Sequence, residues 1–224
     1  MAVADASLGA DRARRKSRGT GLRRARALLN APDPVLTSMP PEAIAELTTA
    51  YQAAPVILEY GSGESTKIAA QMPGKTVFSV ESDAEWLREL QLWLDKAPRP
   101  ASVYLHHADI GPTREWGKPS AGGGFRKWPS YPNAIWDRPE FRHPDCVLVD
   151  GRFRLACMLT VLFRITRPLV MLVDDYAERP AYHRFEDLVK PSRMFARMAR
   201  FDLQPQALPG ASLGWIVDAY LRPQ

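Results

Sequence analysis

The stretch Ile57-Leu58-Glu59-Tyr60-Gly61-Ser62-Gly63-Glu64-Ser65-Thr66 decides the fold. A short apolar run, Val56 to Glu59, ends in Gly-Ser-Gly, and a helical stretch from Glu64 to Met72 begins at once. Small residues where a strand turns sharply into a helix let backbone and ligand approach closely, at the crevice where doubly wound sheets bind nucleotides. Twenty residues past Gly61, a strand from Thr76 to Val80 delivers Glu81. An acid at the end of a second strand is placed to accept from both hydroxyls of a ribose.

Outward from that turn the same alternation continues. Asp83 to Ala97 reads as a helix with Trp86, Leu87, Leu90 and Leu94 on one face. The strands Ser102 to His106, Cys146 to Val149 and Leu169 to Val173 follow, with a helix from Phe153 to Ile165 before the last. Upstream, Pro41 opens a helix over Glu42 to Ala54, so the domain is expected to span 35–224, after an arm and linker over 1–34. Strands alternating with helices predict an α/β fold, a doubly wound and mostly parallel sheet. Strand-like runs at 196–204 and 211–220, joined by Pro209-Gly210, predict a C-terminal antiparallel hairpin. Residues 110–144 are too long for a plain loop and hold Trp116, Trp128, Tyr131 and Trp136, which predicts a lid or an insertion.

Composition sets the class. The chain has 224 residues, 46% hydrophobic and 25% charged, with six Trp, as in a folded globular protein. Two cysteines, Cys146 and Cys157, lie outside any CxxC or Cys/His cluster, so neither a zinc site nor a disulfide framework is expected and a reducing cytoplasm fits. The longest apolar run, Leu155 to Phe163, is half the length a transmembrane segment needs, and no apolar leader precedes residue 30. Of the net charge of +5, residues 1–26 carry +6 through eight Lys and Arg against Asp5 and Asp11, leaving the rest at −1. The near-neutral body speaks against a nucleic-acid partner, and the arm reads as a solvated tail or as a contact to an acidic surface.

The dinucleotide fingerprint wants a third glycine where Thr66 stands, which weakens a nicotinamide reading. The run Glu59-Tyr60-Gly61-Ser62-Gly63 instead resembles the first motif of class I S-adenosylmethionine-dependent methyltransferases, with Ser65 in place of the motif's last glycine. The resemblance implies a Rossmann-like methyltransferase fold of seven strands and a cofactor site at Glu59, Gly61, Ser62, Gly63, Ser65, Glu81, Asp109 and Asp150. Asp109 stands where such enzymes place an acid against the adenine amino group, and Asp150 where a residue faces donor or substrate. Each acid also reads as a helix cap or a solvated loop charge.

Methyl transfer from a sulfonium asks a protein mainly to align donor and nucleophile and to remove a proton when the nucleophile is a hydroxyl. Asp150, Asp174 and Asp175 converge at one sheet edge and are similar to the metal triad of catechol-type and macrocin-type O-methyltransferases, which implies possible Mg²⁺. Arg152 departs from that pattern, because macrocin-like sequences carry an acid there. A cation favours a salt-bridged, metal-free pocket in which Arg152 pairs with Asp150 or Asp174, or binds an anionic substrate. His183 is a candidate general base, or else simply opens the next helix. The expected activity is O-methylation of a small-molecule or carbohydrate-like acceptor by Asp150, Arg152 and His183. A cofactor-binding module without turnover is the alternative, and an RNA methyltransferase is less favoured.

Overall fold

The structure, a computed structural model, describes residues 38–120 and 122–223. The basic arm and linker expected at 1–34, like residues 35–37, lie outside them. Seven strands form one sheet: β1 (Val56–Tyr60), β2 (Thr76–Glu81), β3 (Ser102–His107), β4 (Cys146–Val149), β5 (Leu169–Val173), β6 (Arg193–Phe195) and β7 (Met198–Leu203). Their order is β3-β2-β1-β4-β5-β7-β6. The first five are mutually parallel, β7 runs antiparallel to β5, and β6 antiparallel to β7. The chain winds outward from β1 to β3 and then returns to β4 on the other side of β1, so the strand order reverses between β1 and β4. That reversal opens a crevice at the carboxyl ends of both strands.

The helices are α1 (Pro41–Ala53), α2 (Glu64–Ala70), α3 (Ala84–Lys96), α4 (Arg154–Arg164) and α5 (Leu213–Ala219). Period-two alternation along β1 sends Leu58 and Tyr60 into the core shared with α4, and Ile57 into the one shared with α1. The α4 side holds most of the apolar mass: Leu155 to Leu162 are all buried, which is why this stretch reads as continuously apolar. Asp83 starts α3 by accepting from the backbone N–H of Glu85 at 3.0 Å and of Trp86 at 3.1 Å.

One sequence expectation is corrected in detail. The antiparallel hairpin is made by β6 and β7 around a two-residue turn, Ala196-Arg197, so the run at 196–204 holds its second strand and the run at 211–220 takes no part. The second of those runs is the helix α5, whose buried Ile216 and Ala219 lie three apart, the spacing of one helical face. The 110–144 segment is folded: Trp128, Tyr131 and Ile135 enter the α4 core, and a two-residue ladder pairs Thr113–Arg114 with Lys118–Pro119. Truncating the fully buried Leu159 of α4 to Ala is expected to cost about 2–5 kcal/mol, read from urea denaturation.

Candidate functional site

The turn after β1 is held by backbone geometry that only glycine accepts. Gly61 has φ +103°, and a Cβ there would sit 2.7 Å from the Gly151 nitrogen and 2.8 Å from its Cα. Reciprocally, a Cβ on Gly151 would meet the Gly61 nitrogen at 2.8 Å and the Tyr131 hydroxyl. The loops after β1 and β4 therefore touch backbone to backbone. Gly61 N–H also donates to the Val80 carbonyl at 2.8 Å, tying the turn to β2. Gly63, Ser62 and Ser65 line the cavity beyond this contact.

Glu59 lies beneath the turn, not in the cavity. It is fully buried on the α1 face and accepts from the Tyr51 hydroxyl at 2.7 Å and the Thr66 hydroxyl at 2.5 Å. Burial pushes its carboxyl above the usual range while these donors pull it back. Thr66 in turn accepts from Gly63 N–H at 3.0 Å. The residue that breaks the dinucleotide fingerprint thus braces the glycine turn against Glu59.

Glu81 does face the cavity. Its Oε1 accepts from the backbone N–H of Ser82 at 2.6 Å and of Asp83 at 3.1 Å, and Ser62 N–H lies 3.4 Å from Oε2. Gly117 of the 110–144 segment covers it so closely that a Cβ there would lie 2.9 Å from Oε1. Trp116, at φ 67°, and Lys118 flank Gly117 along the same wall, and Trp86 donates to the Ser62 carbonyl at 2.7 Å.

On the opposite wall Asp150, Asp174 and Asp175 bring carboxylate oxygens within 4.8 Å of one another. Arg154, almost completely buried, reaches Asp150 Oδ1 at 3.0 Å, Asp175 Oδ2 at 3.2 Å and the Asp174 carbonyl at 2.5 Å. Arg197, at the tip of the β6–β7 turn, grips both oxygens of buried Asp174 at 3.0 and 2.7 Å and contacts Asp175 Oδ1 at 3.1 Å. Arg179 meets Asp175 Oδ2 at 3.3 Å. Arg154 makes its closest approach to Asp150 at Oδ1, and no side-chain hydrogen bond engages Asp150 Oδ2 among the described residues. The donor set does not fit a divalent cation, because guanidinium groups already occupy the oxygens that would ligate it. Desolvation, with Asp174 and Asp175 beside it, pushes the Asp150 carboxyl up to about 7 against the pull of Arg154.

Like Glu59, two further expected site residues stand outside the cavity, and a third has other partners than expected. Asp109 is exposed, bound to Lys127 at 2.6 Å and capping Gly111 N–H at 2.9 Å, and does not line the cavity. His183 packs on Tyr176 with its Nε2 at 3.0 Å from the Tyr176 carbonyl, again outside the lining. Arg152 lines the cavity but pairs with neither Asp150 nor Asp174. That part is taken by Arg154 and Arg197. Phe153 adopts the left-handed conformation, φ 50° and ψ 38°, which rotates α4 so that Arg154 turns inward one helical turn after Asp150. The Asp150/Arg154 spacing of four was a readable signal; Arg197 is brought in by the hairpin and had none.

The cavity so enclosed measures about 590 Å³ and joins Glu81 to Asp150. Among solved structures, the chain is 45% identical to a methyltransferase-like protein of Silicibacter pomeroyi, over 84% of this chain and 97% of that one, with a TM-score of 0.81. At the level of fold it is similar to the O-methyltransferase TomG of Streptomyces achromogenes, solved with S-adenosylmethionine (16% identity, 82% and 88% covered, TM-score 0.50). A methyltransferase of Geobacter sulfurreducens gives 11% identity, 84% and 95% coverage and the same TM-score of 0.50. No protein-family model and no curated protein matches the sequence. Gly61→Ala is expected to lose roughly 2–4 kcal/mol, because strain at positive φ adds to a backbone clash that no rotamer relieves. Arg197→Ala, which strands the buried Asp174 carboxylate, is expected to cost about 2–4 kcal/mol. Both are read from denaturant midpoints.

Proposed function

Because the chain belongs to the class I S-adenosylmethionine-dependent methyltransferase superfamily, we propose that it binds S-adenosylmethionine along the Gly61–Ser65 turn and methylates a hydroxyl of a small-molecule acceptor. The observation that carries this reading is one cleft with two chemically different walls: Glu81 beside the glycine turn, and Asp150 facing it across the switch point. Glu81 offers carboxylate oxygens whose position is fixed by Ser82 and Asp83 N–H, an arrangement suited to a vicinal diol. The Gly61–Gly151 contact leaves backbone at the cavity surface where a side chain would otherwise fill it.

The cofactor, when bound, supplies an electrophilic methyl group on a sulfonium with a good leaving group. The chain's own task is then alignment and proton removal. Arg154 approaches Asp150 most closely at Oδ1, which leaves Oδ2 to act on the acceptor, and a carboxyl pushed up to about 7 suits it to accept a hydroxyl proton near neutrality. Arg154 holds Oδ1 and keeps the carboxylate turned into the cleft. The locked Asp174–Arg197 pair supports a route that needs no metal.

Calorimetric titration with S-adenosylhomocysteine tests the cofactor half. Selective binding over NAD⁺ is expected, weakened at least about tenfold by Glu81→Ala as hydrogen bonds to a charged acceptor are lost. No binding overturns the reading. Binding without methyl transfer to any acceptor in a small-molecule screen favours a module without turnover. Where turnover is found, the rate is expected to rise with pH through about 7 and then level, since the deprotonated carboxylate is the working form. Asp150→Asn is expected to remove that limb and to lower the rate by about 10²–10⁴.

A further inference from the structure

Four guanidinium groups, of Arg152, Arg154, Arg179 and Arg197, line the cavity against the three carboxylates of Asp150, Asp174 and Asp175. Arg154, Arg179 and Arg197 all engage carboxylate oxygens. The guanidinium of Arg152 makes no ion pair or hydrogen bond among the described residues, and its Nε is buried without a partner. Glu81, Tyr131 and Tyr182 act on it only through space, while burial and the charge of Arg154 press against its protonated form. The Tyr182 hydroxyl, on the turn that follows β5, is likewise buried with no hydrogen-bond partner; it lies behind the cavity lining and feels the fields of Arg154, Arg179 and Arg152.

Buried donors are almost always satisfied in folded proteins, and a guanidinium offers donors only. Two orphaned donors on a wall where four guanidinium groups face three carboxylates, with Glu64, Glu81 and Asp83 elsewhere in the lining, call for an acceptor-rich, negatively charged group. A planar or tetrahedral oxyanion matches the guanidinium fork, whereas a metal ion or an ammonium does not. A neutral sugar would leave Arg152 with the distant field of Glu81 and no ion-paired partner.

We propose that Arg152 and Tyr182 form an anion subsite for the methyl acceptor, which therefore carries a carboxylate or a phosphate. This rests on the methyltransferase reading above and narrows its substrate class. The subsite belongs to the acceptor and not to the cofactor, so its occupancy is additive with that of S-adenosylhomocysteine.

The test titrates the full-length protein, saturated with S-adenosylhomocysteine in chloride-free buffer, with inorganic phosphate and separately with acetate. Saturable binding of at least one anion is expected, and the tighter of the two names the acceptor's group. Arg152→Gln is expected to weaken it at least about tenfold while leaving affinity for S-adenosylhomocysteine within about threefold. Tyr182→Phe removes only the orphaned hydroxyl, is expected to weaken the anion about threefold or more, and carries the test if the first variant does not fold. Absence of binding to the wild type, or equal binding by the variants, overturns the proposal. So does competition between the anion and S-adenosylhomocysteine, or a large loss of cofactor affinity in Arg152→Gln, either of which assigns Arg152 to the cofactor's own carboxylate. If the wild type binds the anion but not S-adenosylhomocysteine, the subsite stands and the methyltransferase reading falls.

Discussion

Two glycines in backbone contact set the geometry of this protein. Gly61 and Gly151 end neighbouring strands, and each excludes a Cβ on the other. Their approach fixes how far apart the loops after β1 and β4 stand, and so how far Glu81 stands from Asp150. Side-chain packing could not hold that separation, since even one methyl group would force the loops apart. The network below, Tyr51–Glu59–Thr66, keeps the first loop from relaxing.

Charge compensation is the second organising feature. An aspartate triad at one sheet edge would repel itself apart if left alone. Arg154 from α4 and Arg197 from the hairpin hold it together, and the Ala177 N–H bond to the Arg197 carbonyl at 3.1 Å pins the hairpin tip over the site. The antiparallel end of the sheet therefore does more than cover an edge: it delivers a cation. Strain gathers in the same region, with Trp116, Phe153 and Asp175 all at positive φ around the cavity. Such residues persist only where the surroundings over-determine them.

Local pattern made much of this legible. The glycine turn, the alternation of strand and helix, and Glu81 twenty residues on were enough to reach a doubly wound, mostly parallel sheet and the Glu81 wall of the cleft, while the family resemblance implied the seven strands. What failed depended on contacts between distant segments. The run at 211–220 alternates weakly enough to resemble a strand, and only its docking on α4 through Ile216 decides for helix. Arg152 stands two residues and Arg154 four residues after Asp150, and with the left-handed Phe153 between them it is Arg154 that reaches the carboxylates. Glu59 matched a motif, yet alternation along β1 points it away from the cleft, toward α1. Asp109 sits at a strand end as anticipated, but Lys127, from the segment that folds over the edge, claims it.

The central claim is that one cleft, defined by the Gly61–Gly151 contact, holds donor and acceptor on its two walls. A crystal structure with S-adenosylhomocysteine tests it most directly. The account predicts the ribose hydroxyls within hydrogen-bond reach of Glu81, the amino-acid end along Gly61–Ser65, and the sulfur turned toward Asp150. A ligand bound elsewhere, or one in this cleft that leaves Glu81 without a ribose contact, would contradict it.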